Sequence, residues 1–273
     1  MNLVATTMDR IAPGQRQAGR LGGLVTLAYG LLSYTAFTAA ILYTIAFVGN
    51  WLVPKSIDSG AAGPLGQSLL IDAGLLALFV VQHTVMARPA FKRLWTRIVP
   101  RPAERSTYVL AASACMGLLL WQWQPLPQVL WHVEGVAAGL LMALSLTGWT
   151  IMFTSSFAIS HLDLFGVRQA WLRFRNRPYA PVGFRLAGLY RIVRHPLMVG
   201  LLIAFWATPT MTVGHLFFAA MNTAYILFGT WMEERTLVAE HGQRYLDYRQ
   251  RVPGFLPLPK PAADQPLEQP NPE

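Results

Sequence analysis

The chain has 273 residues, of which 53% are hydrophobic and only 13% charged, and it carries a formal net charge of +9. Its apolar residues come in unbroken blocks rather than at amphipathic spacing, which excludes a soluble globular domain and makes the chain a polytopic membrane protein. A single cysteine, Cys115, excludes an internal disulfide and any multi-cysteine metal site, so no metal centre is expected.

Residues 1–20 are polar and read as a cytoplasmic N-terminal segment. The apolar run that follows is much longer than a signal-peptide core and stays in place as the first span, 21–48. The next spans are 69–87, 106–131 and 136–160, each close to the roughly 20 helical residues that cross a bilayer. The stretch 196–232 is too long for one span and contains "TPTMTVG" (208–214), whose Pro209 and Gly214 suit a turn. It reads as a hairpin of two spans, 196–209 and 214–232; the shortness of the first arm leaves a re-entrant or tilted hairpin open. The outer loop "VPKSIDSGAAGPLG" (53–66), rich in glycine and turn residues, is placed to cap the bundle. Trp121, Trp123 and Trp131 fall at span ends, where aromatic belts form. A cytoplasmic C-terminal helix follows the last span, and 252–273, with seven prolines, suits an extended tail without a packed core. The expected fold is therefore an all-α transmembrane bundle of about six spans, one domain over 21–251.

Cytoplasmic loops carry an excess of lysine and arginine. With six spans, Lys55 is the one basic residue of 22 on the outer side. Both termini are then cytoplasmic, and the basic loops face anionic headgroups rather than nucleic acid.

Ionisable groups at the ends of spans are costly and therefore functional candidates. On the six-span map His83, His161 with Asp163, Arg194 with His195, and Glu233 with Glu234 all converge at the cytoplasmic face. Taken singly, each histidine also reads as an interfacial polar group and each arginine as a membrane anchor. Adjacent glutamates point about 100° apart on a helix, so one at most is expected to face a ligand, the other pairing with Arg235 or a loop arginine. Pro196 suits the first turn of a helix, whose unpaired N–H groups attract anions. Arg194 and His195 flank that turn and favour a carboxylate or phosphate, whereas the glutamates favour an ammonium or ribose hydroxyls. S-adenosylmethionine is a molecule with both ends. Gly200 and Ala204, at i and i+4, let a helix or a ligand approach closely.

"RHPLMVG", followed about 30 residues later by "EE" and then by "HGQRYLDYRQRVP", resembles the signature of the isoprenylcysteine carboxyl methyltransferase and phospholipid methyltransferase superfamily of membrane enzymes. The resemblance implies that residues 190–251 bind S-adenosylmethionine through Arg194, His195, Pro196, Gly200, Glu233, Glu234, Tyr245 and Arg249. The family usually has tyrosine where this chain has Met198. "FVGNWLVPKSIDSG", "QHTVMARPAFKRLWTR", "ERSTYVL", "HLDLFGVRQAW" and "FWATPTMTVGHL" resemble the bacterial methanethiol S-methyltransferases of the NnrU-like group, across nearly the whole chain. That resemblance implies methyl transfer to methanethiol, giving dimethyl sulfide and S-adenosylhomocysteine, with hydrogen sulfide as a second acceptor, in the bacterial inner membrane. The expected partners are a small volatile thiol and the bilayer, with no nucleic acid and no obligate protein. On the acceptor side, His83 and His161 have suitable intrinsic pKa values for a base, Asp163 orients or replaces them, and Tyr179 and Tyr190 orient or shield the reacting atoms. The alternatives are another thiol, an isoprenylcysteine or a phospholipid as acceptor, a haem protein with His83 and His161 as axial ligands, and a transport or accessory protein.

Overall fold

The computed structural model describes residues 19–183 and 186–258. The expected N-terminal segment up to residue 18, and the tail from residue 259 onward, lie outside the described residues. The described chain is a helical bundle: α1 (Arg20–Gly49), α2 (Leu65–Met86), α3 (Pro89–Trp95), α4 (Arg101–Gln122), α5 (Gly135–Ile159), α6 (His161–Leu164), α7 (Val167–Phe174), a 3-10 turn (Gly188–Arg191), α8 (Pro196–Trp206), α9 (Val213–His241) and α10 (Gln243–Arg251). Four of these, α1, α2, α5 and α9, are long and apolar enough to cross a membrane. The protein is an all-α, multi-pass membrane protein.

The remaining two expected spans differ from the reading above. α4 starts earlier, at Arg101 with Pro102 in its first turn, and its charged first turn projects Glu104 and Arg105. It stops at Gln122, where Pro125 and Pro127 cannot continue a helix. Residues 129–132 instead form a short strand, β1 (Val129–His132), antiparallel to β2 (Thr210–Thr212). The expected hairpin turn thus carries a strand. α8 has only 11 residues, about 16 Å at 1.5 Å per residue, half the apolar thickness of a bilayer.

Packing divides the bundle into two halves joined at their outer ends. α4 lies between α1 and α2, whereas α8 lies between α5 and α9. The main core joins both: Phe47 and Val48 of α1, Leu76 of α2, Leu119 and Leu120 of α4, Trp149 and Met152 of α5, Ala204 and Phe205 of α8, and Phe218 of α9. Trp123 belongs to this core, fully buried with its ring edge-on to Phe47 and Phe218. It is not a belt residue, because the chain leaves its helix there and turns inward beneath Ile57. Trp121 and Trp131 remain exposed.

The outer loop does cap the bundle. Asn50 closes α1 in the left-handed conformation, and its side-chain amide donates to Asp58 Oδ2 (2.6 Å). Thr212 Oγ1 donates to the other oxygen of the same carboxylate (2.5 Å), so Asp58 ties α1 to the start of α9. Replacing Asp58 with alanine is expected to cost about 1–3 kcal/mol, chiefly by stranding the buried Thr212 hydroxyl. A thermal melt in detergent checks this; an unchanged midpoint would mean that the cap contributes nothing to stability.

Candidate functional site

Pro196 opens α8 at its first turn, as expected. The residue before it, His195, sits between both glutamates of α9: its Nε2–H donates to Glu234 Oε1 (3.0 Å), and its Nδ1 lies 3.9 Å from Glu233 Oε2. The two carboxylates diverge along α9, yet one imidazole wedged between them meets both. Glu234 is the hub. Arg194 Nε donates to its Oε1 (2.7 Å), Arg194 Nη2 lies equally close, and Arg249 Nε is 3.4 Å from Oε2. The expected pairing with a loop arginine is Arg194.

Arg194 also donates from Nη1 to the carbonyls of Val252 (2.6 Å) and Arg249 (3.2 Å). The backbone N–H groups of Arg194 and His195 donate to Pro253 O (2.8 Å) and Gly254 O (3.1 Å), and Phe255 lies over the His195 ring at 5.6 Å. Residues 252–255 are therefore docked on the start of α8, which corrects the reading of the tail as unpacked from Val252 onward. Arginine side-chain donors and two N–H groups, unpaired at a helix start, attract any carbonyl within reach, and the chain's own supplies them.

Tyr245 and Tyr248 of α10 are buried with Leu237 and Val252. Tyr248 Oη donates to the carbonyl of Tyr190 (2.7 Å), so Tyr190 is held by its backbone beside the cluster. Burial is the main reason that all three phenols are pushed well above their ordinary value, and they remain protonated donors at any physiological pH. Gly200 lies elsewhere, in the seam of α8 and α5. A β-carbon on it would come within 2.5 Å of Gly148 O and 2.7 Å of Met152 N. The close approach it permits is that of a helix.

A second set forms where α2, α4, α6 and α9 meet. His83 Nε2 is 2.8 Å from Tyr108 Oη; its ring stacks on Phe79 and meets the edge of Tyr225 of α9. His161 starts α6 with its Nδ1 2.8 Å from Ser156 Oγ and its Nε2 2.9 Å from Tyr34 Oη, stacked on Phe157 at 4.1 Å. Between the histidines lies an apolar cluster of Ala87, Tyr108 and Val109 with Phe37, Met86 and Phe165. Phe37 and Phe165 stack at 3.9 Å, and Phe165 reaches the His161 ring. Asp163 does not orient His161. The two are about 200° apart on a helical turn, and the Asp163 carboxylate instead accepts from Arg168 Nη1 (2.9 Å) and Tyr179 Oη (3.2 Å). Burial, reinforced by that carboxylate, pushes the Tyr179 phenol up to about 12.

Because both ring nitrogens of His161 face hydroxyls, haem ligation through it would require breaking these contacts. Burial lowers its pKa below the ordinary 6.5. Between that depressed value and 6.5 the unfolded chain binds more protons than the folded one, so stability is complete above about pH 6.5 and falls as the pH drops through this window. His161→Gln should flatten the dependence; an equally steep acid loss in that variant would assign it to other groups.

Residues 71–236 match the family model described as NnrU protein. The chain belongs to the NnrU family. Methanethiol S-methyltransferase 2 of Bradyrhizobium diazoefficiens is 53% identical over 234 residues, covering 86% of this chain and 90% of that protein. Methanethiol S-methyltransferase of Mycobacterium tuberculosis is 50% identical over 236 residues, 86% of this chain and 97% of its own length. A more distant relative, the Nurim homolog of Drosophila pseudoobscura pseudoobscura, is 30% identical over 221 residues, 78% of this chain and 85% of its own. No solved structure matches. The span that matches the NnrU family model holds His83, His161, His195 and both glutamates, begins after Tyr34 and Phe37, and ends before Tyr245 and Arg249.

Tyr34, Phe37, Tyr108, Phe165 and Tyr225 are the site residues that sequence reasoning misses. Aromatic residues in so apolar a chain read as lipid-facing or core, and Tyr34, Tyr108, Phe165 and Tyr225 are distinguished by contact with one of the two histidines, Phe37 by its stacking on Phe165.

Proposed function

We propose that the chain is an S-adenosylmethionine-dependent thiol S-methyltransferase that converts methanethiol to dimethyl sulfide at the cytoplasmic face of the bacterial inner membrane, with both termini cytoplasmic and hydrogen sulfide as a second acceptor. The observation that carries this reading is the 53% identity, over nearly the whole of both chains, with a protein named for that reaction. The site agrees with it. The cluster of mixed charge at the start of α8 meets α9 at Glu233 and Glu234, and His83 of the aromatic-walled pair of histidines meets the same helix at Tyr225.

The donor set fits the cofactor's chemistry. Arg249, about half exposed beside Glu234, suits its carboxylate, and the buried Glu233 suits its ammonium or ribose hydroxyls. Arg194, His195, Pro196 and Glu234 hold the first turn of α8 in place, Tyr245 packs beneath them, and Gly200 sets how closely α8 lies on α5. When bound, S-adenosylmethionine supplies a methyl group activated by the adjoining sulfonium. The chain's part is to align the acceptor sulfur with that methyl and to take the thiol proton, since the thiolate is the better nucleophile. His83 is the residue we assign as base. With the cofactor bound, the thiol proton would pass to its imidazole as the new S–C bond forms and the bond from the methyl to the sulfonium breaks, leaving S-adenosylhomocysteine. His161, held by two hydroxyls, fixes the wall opposite, with Asp163 and Tyr179 bracing the turn behind it and Tyr190 closing the cofactor side. Phe37, Met86 and Phe165 make the surroundings apolar, which suits a small apolar thiol.

Headspace gas chromatography over membranes supplied with S-adenosylmethionine and methanethiol tests the reading. Dimethyl sulfide is expected from the natural chain and, for His83→Ala, at a rate lower by about 100-fold or more with cofactor binding retained. Cofactor binding without dimethyl sulfide would transfer the chemistry to another acceptor; full activity of His83→Ala would remove that residue from the mechanism.

A further inference from the structure

The segment "ERSTYVL" (104–110) at the start of α4 is one of the motifs to which the reaction assigns no role. In the structure five consecutive side chains of it each reach a different neighbour. Glu104 lies 4.0 Å from Lys92 of α3. Arg105 Nε donates to Leu164 O, the carbonyl that ends α6 (2.7 Å), and its guanidinium lies 4.9 Å over the Tyr108 ring. Ser106 is fully buried beneath Gly166. There φ is +86°, and a β-carbon would come within 2.7 Å of Ser106 Oγ, so the turn between α6 and α7 is pressed onto α4. Thr107 Oγ1 accepts from Tyr29 Oη of α1 (3.0 Å). Tyr108 Oη meets His83 Nε2.

The two histidines of the acceptor side stand on elements that are distant in sequence, α2 and α6, and this one turn of α4 touches both. We propose that Tyr108, clamped by Arg105, is the positioning residue of His83. The inference rests on the assignment of His83 as base. A buried imidazole on a helix end turns about two side-chain bonds, and only a fixed partner selects one ring orientation and one tautomer. The Tyr108 hydroxyl engages Nε2 and so commits the ring to one orientation. Arg105 holds the phenol ring by its face and ties it to the carbonyl end of α6, so that the orientation of His83 is set relative to His161 and the aromatic wall between them. Tyr108 itself does not touch the reacting atoms.

The test is a double-mutant cycle in detergent or nanodiscs, using Tyr108→Phe, His83→Gln and the pair, with kcat and KM for methanethiol, calorimetric binding of S-adenosylmethionine, and melting midpoints. Tyr108→Phe keeps the ring and removes one oxygen. The expected result is a fall in kcat of about 10- to 100-fold, with KM for methanethiol and cofactor affinity within about twofold of the natural chain. In the His83→Gln background the same change should cost nothing further, because the residue it positions is gone. An equal loss in both backgrounds, or an unchanged kcat in Tyr108→Phe, overturns the proposal while leaving the base assignment to the single His83→Gln variant. Full activity of His83→Gln instead removes the base assignment and the proposal with it. Should Tyr108→Phe lower the melting midpoint enough to obscure its kinetics, Arg105→Lys carries the same cycle, since a lysine cannot both cap the ring face and reach Leu164 O. It is expected to lose kcat only where His83 is present.

Discussion

Glu234→Ala is expected to weaken S-adenosylmethionine binding by about 100-fold or more and to destabilise the end of the bundle where α8 starts. The carboxylate is the shared partner of Arg194 (2.7 Å), His195 (3.0 Å) and Arg249 (3.4 Å), and Arg194 retains only 10% of its side-chain exposure. Removing the acid leaves a cation in a poorly solvated place beside an imidazole and a second arginine, a change that costs about 3–5 kcal/mol in buried pairs. The 14% exposure of Glu234 places this case near the lower end. Arg194 also carries residues 252–255 on its other donors, so its release frees the start of α8 and the end of the chain together. Calorimetry with S-adenosylmethionine and a melt of the same sample read both effects. Glu234→Gln, which keeps the shape and loses the charge, should fall between. A cofactor affinity within about twofold of the natural chain in Glu234→Ala would show that the cluster is a surface ornament without bearing on the ligand.

Gly200→Val should have the largest structural effect of any single change in α8. Its β-carbon would meet backbone atoms of Gly148 and Met152 at 2.5 and 2.7 Å, and backbone cannot rotate out of the way as a flexible side chain does. The reciprocal contact is as close: a β-carbon on Gly148 would come within 2.6 Å of Gly200 O and of Ala204 N. The two helices would have to separate, losing the bond from Ser145 Oγ to Ala204 O (3.0 Å) and displacing Pro196 and His195 one turn below. Overpacking of this kind costs about 1–3 kcal/mol, and a fall in melting midpoint of about 5 °C or more is expected together with loss of activity. Gly200→Ala should show the same sign and a smaller size. A Gly200→Val protein that melts and turns over normally would mean that the seam is not closed in the membrane.

The long apolar helices are legible because membrane spans need only length and freedom from charge, and the bounds of α1, α2 and α5 lie within a few residues of the expected ones. The end of the third span is misplaced because Trp121, Trp123 and Trp131 extend the apolar run past Gln122, while Pro125 and Pro127, inside that run, decide against a helix. Hydropathy registers burial without regard to conformation. At the site, Arg194, His195 and the two glutamates are visible in the sequence because ionisable groups at a membrane face have few reasons to be there. Tyr34 and Tyr108 are not visible, since an aromatic residue within a span needs no explanation until its hydroxyl is found 2.9 Å or 2.8 Å from a histidine nitrogen. Asp163 shows the opposite error. Its nearness to His161 in sequence suggests a partnership that helical geometry prevents, and its partners prove to be Arg168 and Tyr179.

α9 runs for 29 residues, about 43 Å, which exceeds the apolar thickness of a bilayer by two or more turns. Along it Tyr225 meets His83, and eight residues later Glu233 lies beside His195. Eight residues are a little over two turns, so both contacts fall on one side of the rod about 12 Å apart. On the proposed function, a single continuous helix therefore acts as a gauge between the place where a lipid-soluble thiol would give up its proton and the rim where a charged cofactor would be held. The separation is fixed by backbone hydrogen bonds within α9 rather than by any loop, so the distance from Tyr225 to Glu233 does not follow the conformation of the segments around them.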